Sequence, residues 1–268
     1  MSKLNKWLFI PYILWMIGFI IIPVILLIYF SFIDIHGHFS FTNYEQIFSF
    51  RYFKMMAYSI LYAAIITLVT LVISYPAAYF ISYSIHQNLW ILILIIPTWI
   101  NLLLKTYAFI GIFSHDGIIN QILGWLHLPK ADLLFTAPAF IIVASYIYIP
   151  FMILPIFNSM KTIPKNLLQA SSDLGAGKWT TFRKIILPLT KEGVLSGIQV
   201  TFIPALSLFM ITRLIAGNKV MNIGTSIEEQ FLVIQNYGMG STIAIALIVF
   251  MALVLIITKS GNEGGRRS

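Results

Sequence analysis

Residues Asn166 to Leu189 read NLLQASSDLGAGKWTTFRKIILPL, a polar, glycine-marked island in a chain that is otherwise mostly apolar. Apolar residues fill 59% of the 268 positions and charged residues only 10%, with a mean hydropathy of +0.90. A soluble domain of this size carries about 25% charged residues. This chain cannot cover itself against water, and its natural solvent is a bilayer. The island therefore reads as a loop between membrane spans, and the fold class as an all-α membrane protein.

Outward from the island, six apolar stretches approach the roughly 20 residues that a helix needs to cross hydrocarbon. They cover residues 8–32, 57–81, 89–113, 137–157, 193–212 and 241–258. Pro97, Pro150 and Pro155 interrupt the third and fourth, which membrane helices tolerate when neighbours satisfy the freed backbone groups. The first run follows Lys3 and Lys6, is too long for a signal-peptide core and has no small-x-small cleavage site after it. It reads as an uncleaved first span. With the N-terminus inside, 11 of the 17 lysines and arginines fall on inner segments and 6 on outer ones. That positive-inside bias puts both termini in the cytoplasm. The expected organisation is a transmembrane domain over 1–259, with a cytoplasmic loop at 160–190 and a glycine-rich disordered tail at 260–268.

Several function classes drop out. No cysteine is present, so disulfides, thiol catalysis and cysteine metal sites are excluded. The net charge of +8 is spread between spans rather than gathered in a patch with aromatics, so no nucleic-acid partner is expected. His36 and His38 form an H-x-H without a third ligand nearby, and no metal site is expected. Among the outer segments, 114–136 places Ile118, Ile119, Ile122, Leu123 and Leu126 at helical spacing, which predicts a short interfacial helix. Segment 213–240 has room for another.

Within the island, Pro164 suits the first turn of a helix. Leu167, Leu168, Ala170, Ser171 and Leu174 share a face, and Gly175 is placed to end the helix in a left-handed cap. A second helical piece follows with Trp179, Phe182 and Ile186 on one side, and Pro188 marks the entry to the fifth span. The string GAGKWT is not a phosphate-binding loop. The G-x-x-x-x-G-K-[ST] pattern would need glycine at Ser172 and a hydroxyl at Trp179, and no strand precedes it. Pattern alone is compatible with a solvated connecting loop. It is equally compatible with a docking element, in which Leu174, Trp179 and Phe182 are framed by Lys165, Lys178, Arg183 and Lys184 and fit a partner's groove with a charged rim.

The island resembles the cytoplasmic signature of ATP-binding-cassette (ABC) importer permeases: E-A-A, three residues, G, nine residues, I-x-L-P. Here Gln169-Ala170-Ser171 stands for E-A-A, Gly175 follows after three residues, and Ile185, Leu187 and Pro188 close the pattern. It departs at Gln169 and Ser171, which removes the usual glutamate and one ion pair it offers. FTNYEQIF in the first outer loop, IIPTWINLLLKTYAFIGIF in the third span and GIINQILGWLHL extend the likeness to nearly the whole chain. They are most similar to the spermidine/putrescine B-type branch. The resemblance implies a type I permease fold with six transmembrane helices, in a bacterial inner membrane. It implies a second permease subunit, two ATP-binding subunits and an extracytoplasmic substrate-binding protein as partners. The chain would hold no cofactor of its own, and ATP and Mg would bind the ATPase. The island would be the coupling helix, contacting that ATPase through Leu168, Gln169, Ala170, Ser171, Asp173, Leu174, Gly175, Ala176, Trp179, Phe182 and Pro188.

Polar residues within spans are costly and mark a path. Those chosen are Asn101, Lys105 and Tyr107 in the third span and Gln199, Thr201 and Ser207 around Pro204 in the fifth. Each has a plainer reading: Lys105 snorkels outward, hydroxyls bond their own helix, and tyrosine sits in the interfacial belt. Asp116, Glu228 and Glu229 lie near the outer mouth, where carboxylates attract cations such as polyamines. Against a polyamine stands TRLIAG, which puts Arg213 where the resembled branch tends to carry an acid in an SDLLGG-like segment. Three alternatives remain open: an importer for another small solute such as a thiamine-like molecule or a metal complex, a stand-alone secondary transporter, and a membrane enzyme. No buried carboxylate or catalytic cluster in the spans supports the last two.

Overall fold

The computed structural model describes residues 9–263. The opening lysines Lys3 and Lys6 and the end of the glycine-rich tail lie outside the described residues. The only strand-like feature among the described residues is one isolated bridge between Ile33 and Phe39; the rest is helix and connecting turn, as a bilayer demands of spanning backbone.

Helix α1, Ile10–Ser31, has 22 residues, a rise of about 33 Å that matches the hydrocarbon thickness. Its C-terminal end is tied down by polar contacts. Asn43, on the short helix α2 (Thr42–Ile47), donates its amide to Ser31 O at 3.2 Å and Ile33 O at 2.8 Å. Thr242 of the last helix donates to Ser31 O at 3.2 Å. The last helix, α13 (Tyr237–Glu263), packs along α1 and continues through 260–263, which the sequence placed in an irregular tail.

The core is built by three helices: α3 (Phe50–Tyr83), α7 (Ala137–Lys161) and α10 (Lys191–Leu206). Helix α7 is central, with 61% of its apolar window buried against none of that of α1. Helix α10 reaches it through a small-residue stripe. Gly193, Gly197, Thr201 and Ala205 recur every four residues and are all buried. A Cβ on Gly193 would lie 2.6 Å from Pro155 O, and one on Gly197 2.6 Å from Met152 Sδ. Lipid tails are as apolar as leucine, so helix pairs in a membrane depend on such close van der Waals approach.

Three of the expected spans differ in outline. The second begins at Phe50, seven residues earlier than expected, so aromatic residues read as loop belong to α3. The third is not one helix. It divides into α4 (Gln87–Ile95), a 3-10 turn at Ile96–Trp99 and α5 (Leu102–Phe113), because Pro97 cannot donate to the helical ladder. The fifth bends by 56° between α10 and α11 (Phe209–Ala216), just past Pro204. The carbonyl of Leu208, at this bend, accepts from the Asn222 amide at 3.1 Å and from the Thr212 hydroxyl. Asn222 also caps α12 (Ile223–Glu228), and Ser59 of α3 accepts from Ile223 N at 2.7 Å. Buried backbone freed by the bend is thus satisfied by side chains. A short helix is present where the spacing predicts one, as α6, Ile118–Trp125. Its buried residue is Asn120, which exchanges hydrogen bonds with Ala131 and holds the loop closed.

Candidate functional site

The island folds as two short helices around a glycine. Helix α8, Lys165–Asp173, ends with Gly175 at φ +75°. Gly175 N donates to Ser172 O at 2.9 Å and Ala176 N to Ser171 O at 3.0 Å. These are the two bonds of a Schellman cap, whose left-handed residue glycine alone adopts without strain. Residues 178–189 form α9: Lys178–Thr181, a π turn over Phe182–Ile186, then Leu187–Leu189. Ser171 and Thr181 share a hydroxyl hydrogen bond of 2.8 Å that pins α9 to α8. Ser171 is buried by it, which gives a physical role to the position that departs from E-A-A.

The rest of the proposed ATPase contact is arranged in two layers. Gln169, Ala170, Asp173, Leu174, Gly175, Trp179 and Pro188 are exposed, while Leu168, Ala176 and Phe182 are half-buried against the spans. Leu174 is 87% exposed and Trp179 71%, so two large apolar groups stand uncovered on the hairpin.

The six path residues separate. Asn101 caps α5 by accepting from Leu103 N at 2.8 Å, Lys105 is half-buried and Tyr107 exposed. On α10, Gln199 donates to Thr258 of α13, Thr201 is fully buried in the small-residue stripe, and Ser207 bonds Pro204 O at the bend. Asn101 and Gln199 are thereby engaged within the chain. The Thr201 hydroxyl has no partner in the structure.

At the end of α3 away from the hairpin, Glu228 and Glu229 line a cavity of about 340 Å³ together with Arg51, Arg213 and Thr225. Arg213 forms an ion pair with Glu228. Asp116 is elsewhere. It pairs with Lys130 at 2.9 Å, and that hydrogen bond and charge hold its carboxyl below the usual range. A neighbouring cavity of about 300 Å³ is lined by Arg51, Lys54, Tyr58, Tyr62 and Lys219. Arg51 and Lys54 could not be placed beside Arg213 and Lys219 from sequence spacing, since about 160 residues separate them. Near His36 and His38 the only arrangement is a turn in which Asp34 accepts from both backbone amides. Among the described residues no group of three His, Cys, Asp or Glu could hold a metal.

The fold with these features is that of an ABC transporter permease. A bacterial alginate ABC transporter in complex with an alginate-bound periplasmic protein superposes with a TM-score of 0.82, at 17% identity over 95% of this chain and 92% of that one. A second alginate importer structure gives 0.78 at 18% identity, over 98% and 95%. No family model matches the chain. Curated relatives do. The spermidine/putrescine transport system permease protein PotB of Escherichia coli is 34% identical over 253 residues, 91% of this chain and 92% of the relative. PotB of Haemophilus influenzae is 33% identical, over 93% and 91%. The PotB homolog of Mycoplasma genitalium is 30% identical, over 95% and 92%. The chain belongs to the PotB family of ABC importer permeases. It is a multi-pass membrane protein and a transport component that works with partner subunits.

Proposed function

We propose that this permease forms half of the path by which an ATP-driven importer takes up spermidine or putrescine. The observation that carries the coupling role is the cytoplasmic hairpin, whose Schellman cap presents Leu174 and Trp179 to water. Apolar groups of that size, ringed by Lys165, Lys178, Arg183 and Lys184, suit the core and rim of a protein interface. The partner there is a separate ATPase that binds ATP and Mg. Two such subunits, a second permease and an extracytoplasmic binding protein complete the assembly, and both termini of this chain lie in the cytoplasm. This chain does no covalent chemistry. ATP-driven closure of the ATPase displaces the hairpin, and the spans alternate their access as rigid bodies.

The family relationship supports polyamines as cargo. Arg213 does not oppose that reading as an unpaired charge would, because Glu228 neutralises it. Glu229, in the same cavity, offers a cation the carboxylate it prefers. A second reading, import of another small solute, is favoured by Arg51, Lys54 and Lys219 in the adjoining cavity. The test is uptake of labelled spermidine by proteoliposomes holding the whole complex and its binding protein, in competition with unlabelled putrescine and thiamine. ATP-dependent uptake blocked by putrescine alone is expected. Absence of spermidine uptake by a complex that hydrolyses ATP would remove the polyamine.

A further inference from the structure

We propose that Phe182 is the positioning residue that passes the displacement of the cytoplasmic hairpin to α3, by wedging between Trp179 and two tyrosines of that helix. The inference rests on the reading that a partner ATPase moves the hairpin.

The Phe182 ring stacks on Trp179 at 5.5 Å with 20° between planes. On its other side it meets Tyr75 edge-on at 5.8 Å and 89°, and Tyr79 at 6.0 Å and 83°. Tyr75 in turn shares a hydrogen bond of 2.8 Å with the buried hydroxyl of Thr190, where α9 meets α10. The series runs from the exposed Trp179 to the buried N-cap of α10. Around it the hairpin and α3 are not in continuous contact. A cavity of about 410 Å³ opens beside Tyr75, Phe80 and Trp179, and another of about 180 Å³ beside Tyr83, Leu168 and Ser172. A force on the hairpin reaches α3 chiefly through the ring that bridges these gaps.

The point of application is also suited to motion. Tyr75 precedes Pro76, the proline inside α3, which frees the carbonyl four residues back and weakens the helix there. Phe182 opens the π turn Phe182–Ile186, where the backbone ladder of α9 is likewise irregular. Rings packed edge to face transmit displacement because their contact is short-range and steep, whereas the cavities on either side transmit none.

The chain has no cysteine, so a single Val200→Cys on the exposed face of α10 reports access to the spans by maleimide labelling in the purified complex. Native complex should label at different rates with and without ATP and vanadate. Tyr79→Leu, which deletes a ring on the α3 side and outside the ATPase contact, should remove that difference while ATP hydrolysis stays within about twofold, because an edge-on pair is lost. Phe182→Ala should remove the difference as well, and Phe182→Tyr should restore it. A nucleotide-dependent difference that persists in both Tyr79→Leu and Phe182→Ala overturns the relay, as does loss of ATP hydrolysis in Tyr79→Leu in step with labelling. Failure of any ATPase to copurify with the native chain overturns the underlying function instead.

Discussion

Gly175 has a positive φ and open space where a Cβ would go, so its requirement is conformational and not steric. An L-residue in the left-handed region costs about 1–2 kcal/mol, less for asparagine and more for a β-branched residue. Gly175→Val should insert normally and lose most uptake, and Gly175→Asn should keep more of it; equal uptake in the two would show that the cap geometry is immaterial. This residue was readable beforehand because its neighbours are local in sequence. The Arg213–Glu228 pair was not, since the residues are 15 apart and meet only where the chain turns back between α11 and α12. Glu228 is 14% exposed and Arg213 53%, which screens the pair. A double-mutant cycle with Arg213→Gln and Glu228→Gln, read by thermal unfolding in detergent, should give a coupling of about 0.5–1 kcal/mol that shrinks with added salt.

At the scale of helices, the α7–α10 contact sets apart two glycines that look alike in sequence. The Cβ of Gly193→Ala would meet a backbone carbonyl and the Ser159 Cβ, which cannot swing away, whereas that of Gly197→Ala would chiefly meet the flexible end of Met152. Gly193→Ala should therefore destabilise by about 1–3 kcal/mol and Gly197→Ala by clearly less, as read from the melting temperatures of the purified complex. The reverse order would mean that α10 is free to shift outward along α7. Hydropathy located the apolar runs because a bilayer makes apolar length obligatory, although the helix long enough to span in the third region runs over Leu102–Trp125 rather than 89–113. Averaging over 20 residues hides one proline, so the break at Pro97 was legible only from the residue itself, and hydropathy cut α3 short because Phe50, Tyr52 and Phe53 sit among Arg51 and Lys54. The four-residue glycine spacing was visible, but which glycine touches backbone depends on the partner helix.

For the molecule as a whole, the sidedness drawn from Lys and Arg has a direct check in a chain without native thiols. Ser172→Cys in α8 should label with an impermeant maleimide only in inside-out vesicles, and Ser40→Cys in the first outer loop only in intact cells or spheroplasts. Labelling on the opposite sides would place the hairpin beyond reach of any cytosolic ATPase. Helix α3 carries Arg51 in its first turn and the Tyr75–Tyr79 pair near its last, 34 residues in one continuous helix and about 51 Å from end to end. With the proposed orientation, such a strut would join the receptor side to the nucleotide side, and any coupling it carries is reciprocal by thermodynamic necessity. Whatever factor nucleotide imposes on the affinity at its outer tip, a loaded receptor arriving there must return to the nucleotide.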